Sequence, residues 1–171
     1  RSFSGLNWEI QHDQKIGLIG PNGAGKSSLL KLILGELSPE PGGVITRAKG
    51  LSVGYLAQQP DLEPDQTALS AALAGNPRYI ELRSELEQIE ASLGDPQIYN
   101  NLKALERVLT NQERCLEAYA SLGGDNYPGR VKEILLGLGL QHSNFETPLG
   151  ALSGGQKKLV GLARLLLARP D

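Results

Sequence analysis

Gly20-Pro21-Asn22-Gly23-Ala24-Gly25-Lys26-Ser27 matches the pattern G-x-x-x-x-G-K-[ST], the phosphate-binding P-loop. Ahead of it, Ile16, Leu18 and Ile19 form the short apolar run of a buried parallel strand. Behind it, Lys26 to Leu34 is rich in Leu and Ile and predicts a helix. Strand, glycine-rich loop and helix in that order separate a phosphate loop from a chance match. Glycines admit positive φ, which turns successive N–H groups inward on a phosphate. The free N–H groups and dipole of the following helix add to that pull on an anion. Lys26 is then placed for the β- and γ-phosphates of ATP, and the Ser27 hydroxyl for Mg²⁺. Ser28 is assigned to the α-phosphate. The candidate nucleotide-binding set is therefore Gly20, Pro21, Asn22, Gly23, Ala24, Gly25, Lys26, Ser27 and Ser28.

Working outward, Leu6, Trp8 and Ile10 alternate with polar neighbours, which predicts a strand with Trp8 in the core. A turn at Gln11 to Gln14 leads into the strand before the P-loop. Pro39 to Gly43 breaks the chain, and Val44 to Leu56 predicts a hairpin turning near Lys49-Gly50. Gln66 to Ala74 predicts a helix. Farther on, Tyr79, Leu82, Leu86, Ile89 and Leu93 are spaced 3, 4, 3, 4, and Leu102, Leu105, Leu109, Gln112, Leu116 and Tyr119 are spaced 3, 4, 3, 4, 3. Two heptad segments broken at Gly94-Asp95-Pro96 predict an antiparallel helical hairpin packed along one apolar seam. Arg83 and Glu87 stand at i,i+4 on its outside. Val131 to Leu138 and Ser153 to about Ala168 predict the last helices.

Bulk properties exclude several classes. The length of 171 residues suits about one domain, and 40% hydrophobic with 21% charged residues suits a globular chain with a core. A net charge of −2 gives no global electrostatic case for nucleic acid or an anionic membrane. Cys115 is the one cysteine, so no internal disulfide can form, and a reducing, cytoplasmic compartment is expected. No apolar run approaches the roughly 20 residues of a membrane span, and no signal peptide is read at the start. The chain begins without Met and reads as a fragment.

Leu152-Ser153-Gly154-Gly155-Gln156 is the second strong motif. Ser153 is an N-cap with Gln156 at the capping-box spacing, and Gly154 and Gly155 keep the first helical turn bare for a phosphate. Together with the P-loop, this motif resembles the ATP-binding-cassette (ABC) ATPases, where it is the signature sequence. The resemblance implies that Ser153, Gly154, Gly155 and Gln156 contact ATP held by the P-loop of a second cassette. Tyr55-Leu56-Ala57-Gln58-Gln59-Pro60 resembles the family's Q-loop. That resemblance gives Gln58 the role of touching Mg²⁺ and the attacking water, with Gln59 as the alternative. The family's Walker B strand, with its Mg²⁺-binding Asp and catalytic Glu, would begin just beyond Asp171. By that comparison the 171 residues alone are expected to be inactive in hydrolysis.

The resemblance covers nearly the whole chain and is greatest to the first cassette of bacterial ABC-F proteins. It rests on Lys15 to Lys26, on Val53 to Gln59, and on the 127 positions from Lys26 to Ser153, longer than in transporter cassettes. The excess coincides with the hairpin, where ABC-F proteins carry a helical arm. The implied fold is α/β: a P-loop NTPase with a parallel core sheet, an antiparallel β subdomain and a helical subdomain bearing the arm. Expected boundaries are 1–65 for the P-loop core and β subdomain, 66–150 for the helical subdomain with its hairpin at about 79–122, and 151–171 for the signature and its helix. The implied function is an ATPase whose paired cassettes close on ATP and act on the ribosome in translation. The alternative is the ATP-binding subunit of a membrane transporter, docked on a membrane partner. Between Arg78 and Glu117 the arm holds five basic and eight acidic residues, which is not a generic RNA-binding surface.

Overall fold

The computed structural model describes residues 5–170. Arg1–Ser4 and Asp171, the ends of the first and last expected segments, lie outside the described residues. Two compact units divide the chain, Arg1–Val53 and Gly54–Asp171.

In the first unit one helix, α1 (Lys26–Leu34), follows the P-loop as its Leu and Ile content implies. Gly35 ends it in the left-handed conformation at φ 83°, and its N–H closes on Leu32 and Lys31 carbonyls. Arg47 donates from Nη2 to the carbonyls of Leu32 and Ile33. A guanidinium thus satisfies acceptors that every helix C-terminus leaves open. The predicted turns are present: Gln14 N–H donates to the Gln11 carbonyl, Gly43 N–H to that of Glu40, and Leu51 N–H to that of Ala48.

The predicted strands are not. No named strand occurs among the described residues, whose one isolated bridge joins Thr67 and Pro148. The parallel core sheet and β hairpin of the expected α/β fold are therefore not seen here. Leu6, Ile10, Ile16, Leu18, Val44 and Val53 are exposed, Ile19 is 96% exposed, and Trp8, expected in the core, is 40% exposed. The physical reason lies in what a strand is. Alternation and apolar runs prepare a segment for pairing, but only a ladder of hydrogen bonds to a neighbour makes it a strand. In these segments the turns form locally, and no such ladder accompanies them.

The second unit is helical: α2 (Ala68–Leu73), α3 (Pro77–Leu93), α4 (Pro96–Tyr99), α5 (Leu102–Ser121), α6 (Tyr127–Gly137) and α7 (Gly154–Ala168). Short polar side chains start most of them. Thr67, Asn76, Asp95, Asn101 and Ser153 each accept a backbone N–H from the first turn of the helix that follows. The main core gathers Ala68, Ala71 and Ala72 of α2, Val131 and Leu135 of α6, Leu149, and Val160 and Ala163 of α7. Small side chains on α2 let α7 lie close against it.

α3 and α5 form the antiparallel hairpin, with a second core of Leu82, Ile89 and Cys115 supported by Leu86, Leu93 and Val108. The α3 side of the seam is as predicted. On α5 it is rotated. Tyr119 packs there as expected, but it is joined by Val108, Cys115 and Leu122, whereas Leu102, Leu109 and Leu116 are 82%, 47% and 47% exposed. A strict seven-residue leucine repeat marks one stripe of an α-helix, but burial went to the neighbouring stripe, where a thiol and a valine fit against Leu82 and Ile89. Tyr119 and Leu122 touch both cores. At this root Tyr79 packs between Tyr119 and Tyr127, with ring centroids 5.3 and 4.3 Å away.

Candidate nucleotide-binding site

The P-loop is built by its backbone. Pro21 and Ala24 close a turn, Ala24 N–H donating to the Pro21 carbonyl at 3.2 Å. Gly23 and Gly25 adopt φ of 79° and 95°, a region open to glycine at little cost. Gly20 keeps an ordinary φ, and a Cβ there would make only normal contact with the Ala24 methyl at 3.5 Å. Gly25 is also the N-cap of α1, and no side chain caps that helix. The first N–H groups of a helix have no intrahelical acceptor, so the loop delivers a bare, positively polarised helix end. Ser27 and Ser28 sit exposed in that first turn. Asn22 is exposed on the loop.

Lys26 folds back across the loop, its Nζ donating to the carbonyls of Gly20 at 2.7 Å and Pro21 at 2.9 Å. An ammonium has three donors. Two fix the head over the loop entrance, and one remains to direct at an anion.

In the second unit, Ser153, Gly154 and Gly155 open α7 and are exposed. The capping box is complete: Gln156 N–H donates to Ser153 Oγ at 3.2 Å, and Ser153 N–H to Gln156 Oε1 at 2.9 Å. Gln156 Nε2 also donates to Asn144 Oδ1 at 3.3 Å. Its side-chain amide is thus engaged at both ends, which makes Gln156 a brace for the turn and leaves the glycines and Ser153 as the open surface. Nothing lies within 4 Å of where a Gly154 Cβ would be. Asn144 was not legible as part of this motif, being nine positions upstream of Ser153 in a 3₁₀ turn (His142–Asn144).

Gln58 and Gln59 lie exposed in a bend. The residues around them are anchored to α7. A Cβ on Gly161 would fall 2.7 Å from Pro60 Cγ and 3.2 Å from Leu56 Cδ1, so this bend and the signature helix pack in direct contact. The sequence signal for that contact was a lone glycine inside an apolar helix. The P-loop residues come together in the first unit; in the second, the Gln58 bend packs against the middle of α7 and the signature residues form its start.

Among the described residues no group of three or more His, Cys, Asp or Glu side chains could hold a metal ion. Ser27, expected to meet Mg²⁺, offers a neutral hydroxyl on the first unit, and Gln58 a neutral amide oxygen on the second. A neutral hydroxyl such as that of Ser27 suits a Mg²⁺ that arrives on nucleotide phosphates, the usual mode for this small, reluctantly dehydrated ion.

A glycine-built phosphate loop on a bare helix, with a second glycine-opened helix end elsewhere, defines a nucleotide-binding cassette. The model of the ABC transporter family matches residues 3–171, and the chain belongs to that family. It is 34% identical over 171 residues to a putative ATP-binding protein, YdiF, of Bacillus subtilis, covering 99% of this chain and 26% of YdiF. It is 37% identical over 169 residues to the tylosin resistance ATP-binding protein TlrC of Streptomyces fradiae, covering 99% of this chain and 30% of TlrC. To the energy-dependent translational throttle protein EttA of Haemophilus influenzae it is 33% identical over 164 residues, covering 92% and 27%. The chain thus spans between a quarter and a third of the length of these relatives. Membership of the ABC family implies the P-loop NTPase fold and nucleotide binding for this cassette. No helix among the described residues is long and apolar enough to cross a membrane.

Proposed function

We propose that this chain is an ATP-binding cassette of an ABC-F-type protein, whose paired cassettes close on Mg-ATP and reopen after hydrolysis to act on the ribosome. One observation carries the nucleotide role: Lys26 tied across Gly20 and Pro21 above the uncapped N-terminus of α1. The γ-phosphate would be held by Lys26 with Ser27 on the metal, Gln58 beside metal and water, and Ser153, Gly154 and Gly155 of a second cassette closing the other side. Losing that phosphate removes the contacts that favour the closed state. The ribosomal step is supported by the likeness to a translational throttle protein and by the hairpin arm between α3 and α5. A cytoplasmic location goes with that role.

Three experiments test this reading. Titration with a fluorescent ATP analogue in Mg²⁺ is expected to saturate for the parent and to weaken at least about tenfold in Lys26→Ala, the loss of a charge-assisted contact worth roughly 1.5–3 kcal/mol. Unchanged affinity would remove Lys26 from the site. Phosphate release by the purified 171 residues is expected at background, because none of the residues assigned to the site carries a carboxylate to act as the hydrolytic base; turnover abolished by Lys26→Ala would overturn that. For the ribosomal step, the full-length protein should co-sediment with ribosomes in a non-hydrolysable ATP analogue and not in ADP.

A further inference from the structure

We propose that the outer face of α5 is a docking surface for a basic amphipathic protein helix. At 100° per residue, α5 divides into four lengthwise sectors. Val108, Cys115 and Leu122 face α3. Leu102, Leu109 and Leu116 form an exposed apolar row on another side. Beside that row run Glu106, Glu113 and Glu117, and beyond them Lys103, Arg107 and Arg114, all exposed. The three leucines span about 21 Å, some four helical turns, without a covering element among the described residues.

The order of the sectors selects the occupant. An aliphatic row bordered along one side by carboxylates complements a helix with its own aliphatic row bordered by Lys or Arg, the arrangement that sets partner choice in helix pairing. Nucleic acid is disfavoured here, since the acidic row stands between the leucines and the basic row, and the arm as a whole carries three more acidic than basic side chains. A second copy packed antiparallel would set each acidic row against its equal, a like-charge cost. The proposal does not depend on nucleotide chemistry, and its failure would leave the proposed ATP site untouched.

The test uses two labelled helical peptides with identical leucine rows at seven-residue spacing, one flanked by lysines and one by glutamates, titrated into the 171-residue protein by fluorescence anisotropy. The lysine peptide is expected to bind saturably and the glutamate peptide not to bind. Leu109→Ser with Leu116→Ser should weaken the lysine peptide by about tenfold or more, at 1.4 kcal/mol per decade. Glu106→Lys with Glu113→Lys should exchange the preference, so that the glutamate peptide now binds. All four positions are exposed, so thermal melting should stay near the parent's, and the charge exchange is a gain of binding that misfolding cannot mimic. Equal binding of both peptides, or indifference to both double variants, would overturn the proposal. So would leucine-dependent self-association in sedimentation velocity, or an RNA duplex displacing the lysine peptide.

Discussion

Tyr119 stands where the arm meets its base, and its phenol is held neutral. Burial pushes its pKa up, and hydrogen bonding with Tyr79 and Asp125 pushes it the same way. Cys115 behaves alike: burial first, then the Glu85 carboxylate, raise its thiol. Both groups are acids whose folded pKa lies above the unfolded value. Their stabilisation is therefore full below the unfolded pKa, about 8.5 for Cys and 10 for Tyr, and is lost as pH rises through the folded values. Thermal melts are expected to be flat from pH 6 to 8 on account of these groups and to fall above about pH 9. Tyr119→Phe should lower stability at neutral pH by roughly 1 kcal/mol, the net worth of a hydrogen bond, and flatten the alkaline fall. An unchanged alkaline slope would remove Tyr119 from that linkage. Tyr127 is the contrast. Its buried hydroxyl has no hydrogen-bond partner among the described residues, so Tyr127→Phe removes a desolvated polar group and should leave stability equal or raise it by up to about 1 kcal/mol; a clear loss in chemical denaturation would mean the hydroxyl is paired after all.

Among the elements, α7 links the two motifs of the second unit, the signature turn at its start and the Gln58 bend against its middle. Gly161 permits that contact. Replacing it with Ala sets two effects against each other: helix propensity gains about 1 kcal/mol, while overpacking costs about 1–3 kcal/mol. The obstacle is the Pro60 ring at 2.7 Å, which cannot rotate away as a long side chain would, so overpacking should win. Gly161→Ala is expected to lower the melting temperature and weaken nucleotide-dependent closure in the full-length protein; higher stability would show that the bend yields freely. Legibility in the sequence followed the range of the forces involved. α1, the capping box at Ser153 and Gln156, and the break at Gly94-Asp95-Pro96 were readable because each is decided within a few residues. The strands around the P-loop were not, since Ile16, Leu18 and Ile19 state only a readiness to pair. The α5 seam was misjudged by one stripe because Leu109 and Leu116 outrank Val108 and Cys115 in hydrophobicity, while the shape of the α3 surface decided burial.

For the molecule as a whole, the two units differ in how much holds them together. The second buries residues from α2, α3, α6 and α7 in one core. In the first, Leu29 is the one buried hydrophobic residue among those described. Local stability follows buried apolar contact and protected hydrogen bonds, so hydrogen exchange is expected to be slow in α2, α6 and α7 and fast through residues 5–53. Mg-ATP should change that selectively. A ligand that binds only the folded form stabilises it by RT ln(1 + [L]/Kd), about 2.7 kcal/mol at a hundredfold excess over Kd. Its contacts are proposed to lie on Gly20 to Ser28, at the N-terminus of α1. Protection by roughly a factor of 100 should therefore appear from the P-loop through α1, where Arg47 also holds the helix's far end, and it should vanish in Lys26→Ala. Protection spread evenly over both units would mean that nucleotide acts on the whole chain, whereas protection confined to α7 would move the primary site from the P-loop to the signature turn.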